Sequence, residues 1–255
     1  MKNDYRNSMG KADIASLTLP ELQEYTAELA EKSGVKIEKF RAGQVFEWLT
    51  RGVYDFDEMT NLSAKLREVL RSDAYLTLPR VKLKLVSKID GTVKYLFELA
   101  DGECVESVFM RYEHGNTICI STQVGCRMGC TFCASTLGGL VRNLLPSEML
   151  GQVIAAQNDT GERISNIVMM GIGEPLDNYD NTRKFLRLVN DPKGLNIGQR
   201  HISLSTCGLC DKIRMLADED LQITLSVSLH APNGERRAKL MPVARKFSLD
   251  ELMEA

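Results

Sequence analysis

No stretch of this 255-residue chain is apolar for long enough to span a bilayer, and its first residues, Met1-Lys2-Asn3-Asp4-Tyr5-Arg6-Asn7, lack the apolar core of a secretory leader. The expectation is a cytoplasmic protein with no membrane partner. An excess of positive charge is also missing. With 32 Lys and Arg against 34 Asp and Glu the formal net charge is −2, so a nucleic acid would have to meet a local basic surface rather than the whole molecule. No internal repeat and no low-complexity segment is visible, which sets aside solenoids and disordered tails. An even cysteine count is absent too: the seven cysteines are expected to be thiols or metal ligands, not a disulfide framework. What is present, 44% hydrophobic and 26% charged residues, is ordinary for one large domain with a smaller attachment.

The periodicity changes twice along the chain. Residues 1–78 read as a helical accessory domain and a possible RNA contact. In it Thr18-Leu19-Pro20-Glu21 form a capping box before Leu22, Tyr25 and Leu29. Val45, Trp48 and Leu49 mark a second amphipathic helix, and Leu62, Leu66, Val69 and Leu70 a third, capped by Asn61 or Ser63. After Pro79 the period falls to two, and Asp90-Gly91 and Asp101-Gly102 punctuate a β-meander over 79–115. From 116 to 255 short apolar runs alternate with helical segments: strands at 117–121, 167–170, 201–205 and 223–228, with helices near 147–157, 182–189, 212–216 and 236–240. The fold class is therefore α/β, a partial (β/α) barrel with about four strand-helix units.

The densest chemical signal is Cys126-Arg127-Met128-Gly129-Cys130-Thr131-Phe132-Cys133, a C-x3-C-x2-C run directly after the first strand of the alternating region. Three thiolates on one tight loop suffice for three corners of a [4Fe-4S] cubane, whereas a purely electron-carrying cluster normally takes four cysteines. The open fourth iron suits the amino and carboxylate groups of S-adenosylmethionine (SAM), whose sulfonium can accept an electron and lose a C–S bond. Phe132 is expected to shield such a cluster from water. A zinc site completed by Cys119 or His114 would use the same residue types, although zinc sites usually pair two short knuckles and here there is a single triple.

Other candidates fall at strand ends, where barrels place their chemistry. Gly171-Ile172-Gly173-Glu174-Pro175 is not a dinucleotide fingerprint, because a third glycine is lacking and Pro175 interrupts the helix start. It can instead offer backbone carbonyls and the Glu174 carboxylate to a ligand ammonium, or be a plain turn. Ser205 and the Ser228-Leu229-His230 stretch bring hydroxyls and an imidazole to the same rim, for a ribose or a carboxylate; His230 by itself also reads as a structural hydrogen-bonding group. Cys207 and Cys210 form a C-x-x-C pair without a second knuckle, and a redox reading is declined. Glu106 is, by spacing, an acidic strand residue. The run Lys65 to Lys94, with Arg67, Arg71, Arg80, Lys82, Lys84 and Lys88, reads either as an RNA contact or as a solvated helix face followed by a lysine-protected edge strand.

Taken together, Phe40-Arg41-Ala42-Gly43-Gln44-Val45-Phe46-Glu47-Trp48-Leu49, Met59-Thr60-Asn61-Leu62, Val105-Glu106-Ser107-Val108, Cys119, the cysteine run, Met170 through Leu176 and Ser228-Leu229-His230-Ala231-Pro232-Asn233 resemble the RlmN family of radical SAM enzymes, dual-specificity adenine-C2 methyltransferases of 23S rRNA and tRNA. The resemblance runs from about Leu17 to the last residue. It implies a [4Fe-4S] cluster on Cys126, Cys130 and Cys133, and SAM held by Gly173, Glu174, Ser205, Ser228, Leu229 and His230. It further implies that a cysteine methylated by one SAM is attacked by the 5′-deoxyadenosyl radical from a second, then adds to the base. Cys119 matches the cysteine that resolves the adduct, and Glu106 the proton acceptor. A flavodoxin or ferredoxin would supply electrons.

In that family the methyl-carrying cysteine and a further SAM-contacting asparagine lie beyond the last residue of this chain, and neither Cys207 nor Cys210 takes that role. The superfamily's partial barrel has six units, so the resemblance predicts a chain short by about 80 to 100 residues, with the fourth strand as a bare edge. Such a chain is expected to bind cluster and SAM without completing methylation. Competing readings are an adenine-C8 methylating relative, a protein-radical activase, which the helical amino-terminal domain disfavours, and a non-catalytic RNA-binding fragment built on Lys65 to Lys94.

Overall fold

The computed structural model describes residues 5–255. The amino-terminal part holds a two-residue strand β1 (Ala12–Asp13), helices α1 (Leu19–Ser33), α2 (Phe40–Arg51) and α3 (Ala64–Asp73), and β2 (Ala74–Tyr75), which pairs in parallel with β1. The capping box forms as anticipated: the Glu21 carboxylate accepts from the Thr18 N–H and hydroxyl, both at 2.8 Å. Of the two caps considered for α3, Ser63 serves, its Oγ accepting from the Leu66 N–H.

The meander is β3 (Arg80–Val86), β4 (Val93–Glu98) and β5 (Cys104–Met110). It is continuous with the alternating region, because β5 pairs antiparallel with that region's first strand, β6 (Thr117–Cys119). After β6 comes a hairpin of β7 (Gln123–Gly125) and β8 (Leu140–Asn143), then α4 (Pro146–Thr160), β9 (Asn166–Met169), α5 (Tyr179–Asn190), β10 (Ile202–Thr206), α6 (Cys210–Ala217), β11 (Thr224–Val227), α7 (Gly234–Leu240) and α8 (Leu249–Glu254). One seven-stranded sheet runs β11-β10-β9-β6-β5-β4-β3, with β6, β9, β10 and β11 mutually parallel. The strand-helix units are those the alternation predicts; β11 and β3 are the edges. Among the described residues no helix is long and apolar enough to cross a membrane.

Period-two alternation sorts the parallel strands into two faces. Ile118 and Ile120, Ile167 and Met169, and Ile202 and Leu204 are fully buried and share one core with Val153 of α4, Phe185 of α5 and Ile213 of α6. The intervening residues Cys119, Val168, Ser203, Ser205 and Ser226 occupy the opposite face and keep partial access. Helix α4 is buried continuously from Pro146 to Ala156, because the sheet lies on one side and the amino-terminal segment on the other. Gln152 joins it to the sheet, accepting from Ser107 Oγ at 2.7 Å and from the Ser121 N–H at 2.9 Å. On the other side the buried Asp13 carboxylate accepts from Ser147 Oγ at 2.5 Å and Ser16 Oγ at 2.6 Å.

Candidate functional site

The cysteine loop hangs from the β7–β8 hairpin. Its neck is pinched where Gly125, at φ +73°, passes so near Gly139 that a Cβ would lie 2.0 Å from the Gly139 carbonyl oxygen; no other residue fits there. The Cys126 N–H closes the neck on Gly139 O at 2.9 Å. Within the loop the Cys133 N–H bonds Cys130 O at 3.1 Å, and Thr136 Oγ1 donates to Cys133 O at 3.0 Å. Cys126 and Cys130 are buried and Cys133 half-buried; all seven cysteines are free thiols. Burial pushes the Cys126 thiol up to about 11, and raises that of Cys130 with help from neighbouring Cys133 and Glu174.

Three chain segments meet this loop. The link from β6 to β7 is laced to the turn after β9: the Thr122 N–H bonds Ile172 O at 2.8 Å, the Ile172 N–H bonds Ser121 Oγ at 2.9 Å, and the Glu174 N–H bonds Gln123 Oε1 at 2.9 Å. Gly173 makes that contact possible. At φ +104°, a Cβ there would come within 2.6 Å of Gln123 Cβ. Second, the Thr131 N–H bonds Leu240 O at the end of α7 at 2.9 Å. Third, the Phe132 ring tilts against His230, beyond the end of β11, with centroids 4.5 Å apart. His230 itself sits at φ +57° in a three-residue turn in which the Ala231 N–H bonds Leu229 O, a conformation that costs a non-glycine residue energy and concentrates at functional sites.

The strand-end candidates therefore converge. Ser205 Oγ on β10 and Ser228 Oγ, just past the end of β11, are 3.4 Å apart, and Leu229 and His230 follow on the exposed rim. Cys119 lies on the inner face of the sheet, its sulfur accepting the Met170 N–H and its thiol raised by burial. Glu106 shares that face, opposite Leu96 in the register of β4 and β5, and is paired with Lys94 Nζ at 2.8 Å.

The Glu174 carboxylate is 4% exposed and turned inward, accepting from the Cys207 N–H at 2.7 Å and the Leu176 N–H at 3.1 Å, and burial raises its pKa. Phe132, on the cysteine loop, is 52% exposed. The basic run is largely neutralised within the chain. Arg71 pairs with Asp55 and Asp57, Lys82 with Glu98, Lys84 with Asp159 and Lys94 with Glu106, which favours the lysine-protected edge over a continuous RNA-binding stripe.

The residues fit the cluster better than a lone metal ion. Among the described residues no three His, Cys, Asp or Glu side chains converge on one point able to hold a metal ion, as mononuclear zinc requires, and His114 stacks on Tyr112 instead. Thiolates of a cubane bind separate irons and need not converge, and all three cysteines of this loop are free thiols. Sequence reading missed the β7–β8 hairpin, whose strands are too short for period two to register, and Arg237, a fully buried arginine of α7.

A parallel half-barrel with a three-cysteine loop after its first strand defines a radical SAM protein, and the model of the Radical SAM superfamily matches residues 120–255. The model of the ribosomal RNA large subunit methyltransferase N-terminal domain matches residues 12–76. The chain is 57% identical over 243 residues to the probable dual-specificity RNA methyltransferase RlmN of Clostridium tetani, covering 95% of this chain and 68% of that protein. It is 56% identical over 247 residues to the counterpart in Alkaliphilus oremlandii, covering 97% and 70%. A crystal structure of a radical SAM methyltransferase from Sphaerobacter thermophilus superposes with a TM-score of 0.86 at 40% identity, covering 95% of this chain and 70% of the other. The chain belongs to the RlmN family of radical SAM methyltransferases. The cofactors of that superfamily are a [4Fe-4S] cluster and SAM.

Proposed function

We propose that this chain supplies the cluster and SAM site of an enzyme that methylates carbon 2 of adenine in 23S rRNA and tRNA, with Cys126, Cys130 and Cys133 holding the cluster and the carboxyl ends of β9, β10 and β11 holding SAM. The observation that carries the reading is the meeting of the cysteine loop with those strand ends, through Phe132 on His230 and the Gly173 turn on Gln123, beside the Ser205–Ser228 pair. The relatives' names, dual-specificity RNA methyltransferase, support the substrate class.

When held by Cys126, Cys130 and Cys133, the cluster would supply the electron for reductive cleavage of SAM, the radical chemistry that an electrophilic ring carbon requires. The chain's own residues do the rest. Ser205 on β10 and Ser228 just past the end of β11 present hydroxyls that can donate to a carboxylate or accept from a ribose. The Gly171 to Glu174 turn contributes backbone carbonyls as acceptors for the ammonium; Glu174 acts indirectly, fixing the turn to Cys207. Leu229 and His230 wall the rim. Cys119 is the resolving thiol, kept protonated by burial until a base acts. Glu106, salt-bridged to Lys94, is the proton acceptor. Its setting is the cytoplasm, with a flavodoxin or ferredoxin as electron source. Residues 1–78 form an accessory domain, 79–115 the meander and 116–255 the core.

Anaerobic reconstitution with iron and sulfide tests the reading. About four irons per chain, an iron-sulfur absorption that changes on adding SAM, and 5′-deoxyadenosine or methionine on reduction are expected of this chain, and 2-methyladenosine in RNA is expected of the protein that also carries the methyl-bearing cysteine. Mononuclear zinc uptake with no spectral response to SAM would refute the cluster assignment; 8-methyladenosine would refute the carbon-2 assignment.

A further inference from the structure

Arg237 is 0% exposed, yet no carboxylate among the described residues pairs with it. Its one hydrogen bond runs from Nη2 to the Cys207 carbonyl, while Nε and Nη1 are buried without a partner among the described residues. A guanidinium stays charged under all ordinary conditions, and arginine is almost never fully buried unless paired. The nearest balancing group in the hydrogen-bond network is Glu174, one peptide away: its carboxylate holds the N–H of the same Cys207 whose carbonyl Arg237 holds. That arrangement ties the end of β10 to both, and leaves two strong donors unused.

The cysteine loop rests directly on the helix that carries this charge. Thr131 donates its N–H and its hydroxyl to Leu240 O at 2.9 and 3.4 Å, and the Met241 N–H closes α7 on Arg237 O at 2.7 Å, one turn back. A Cβ on Gly129 would touch Pro242 Cγ at 3.4 Å. A thiolate-ligated cubane is an anionic, sulfur-rich acceptor, the group that two orphaned N–H donors and an unbalanced cation would satisfy.

We propose that Arg237 is a positioning residue for the cluster, its buried guanidinium compensating the negative charge of the thiolate ligands and setting the reduction potential. The inference rests on the cluster assignment above. Reduction adds one negative charge, so a fixed cation in a low-dielectric bay stabilises the reduced form more than the oxidised form and raises the potential. A role confined to tying down Cys207 O would leave the potential where it is.

The test is a redox titration of the reconstituted chain without SAM, with dithionite as the one-electron donor and electron paramagnetic resonance as the readout. Arg237→Met is expected to lower the equilibrium constant for reduction at least tenfold, about 59 mV for one electron, and Arg237→Lys to recover most of the loss. Equal potentials in the Met and Lys variants overturn the proposal. Should Arg237→Met hold no iron, iron retention in Arg237→Lys but not Arg237→Gln supports it, and equal behaviour of those two overturns it. A wild-type chain that takes up no cubane sinks the cluster reading and this inference together. That result is distinct from a wild type that binds four irons while its variants keep its potential.

Discussion

The two faces of the parallel strands are built from alternate residues of the same strands and have opposite fates. Outward, Ile118, Ile120, Ile167, Met169, Ile202 and Leu204 disappear under helices. Inward, Cys119, Val168, Ser203, Ser205 and Ser226 stay partly accessible, small or polar, with hydroxyls paired across strands: Ser203 Oγ with Ser226 Oγ at 3.1 Å and Ser205 Oγ with Ser228 Oγ at 3.4 Å. Burial is concentrated on one face, and the proposed chemistry lies on the other. Substitutions should therefore separate cleanly into those that unfold the chain and those that leave it folded and inert.

The largest effect expected is on the rim. Cys133→Ser should cut iron incorporation at least tenfold while changing the stability of the metal-free chain by no more than about 1 kcal/mol, because the thiol is half-buried and lies outside regular structure. Iron analysis and a urea melt of the same preparation measure both. Ile167→Ala on the outer face is the converse. It should cost about 2–5 kcal/mol and yet leave the iron content of the folded fraction intact. If Ile167→Ala instead abolished iron binding in protein that remained folded, the division between faces would fail.

The strands of the alternating region were legible in the sequence as short apolar runs between helical segments, although which of their residues face the helices was not. The capping box at Thr18, the turns at Asp90-Gly91 and Asp101-Gly102 and the four strand-helix units are equally local signals. The site was legible where a motif is compact, as in the cysteine run. It was illegible where the deciding contact is remote. Glu174 meets Cys207, Thr131 meets Leu240 and Phe132 meets His230 across long stretches of chain, and no pattern in residue type announces which way a glutamate turns or that a helical arginine is buried.

Between the extremes lies Gly173→Ala, which touches both faces through the turn. Its φ of +104° and the 2.6 Å approach to Gln123 make any Cβ strained, so a loss of about 1–3 kcal/mol is expected, together with weaker SAM binding. Calorimetric titration on the folded fraction separates the two. Ser205→Ala should do less. Removing one hydroxyl from a partly accessible position should leave the melting curve nearly unchanged and weaken SAM about 3- to 10-fold, the value of one hydrogen bond. No change in SAM affinity would remove Ser205 from the site.

The smallest effect belongs to the amino-terminal helices and shows whether their charges serve folding alone. Asp73, 9% exposed on its side chain, accepts from Tyr25 Oη at 3.1 Å and pairs with Lys32, with Arg6 at 3.6 Å. Burial by itself would raise its pKa, but Lys32 and Tyr25 outweigh it and hold the carboxyl below its ordinary value. As pH falls, the unfolded chain therefore takes up this proton before the folded chain does. The stability from Asp73 is present in full above about pH 4 and drains away as pH drops through the lower folded value. Because Lys32 is largely solvated, the contribution is no more than about 1 kcal/mol. Asp73→Asn should accordingly be slightly less stable than the native chain at neutral pH and show a shallower acid limb, the two stability curves converging toward pH 2, while SAM affinity at neutral pH stays the same. A shift in SAM affinity would mean that the helical attachment is coupled to the inner face, and that the separation of stability from chemistry stops at the sheet.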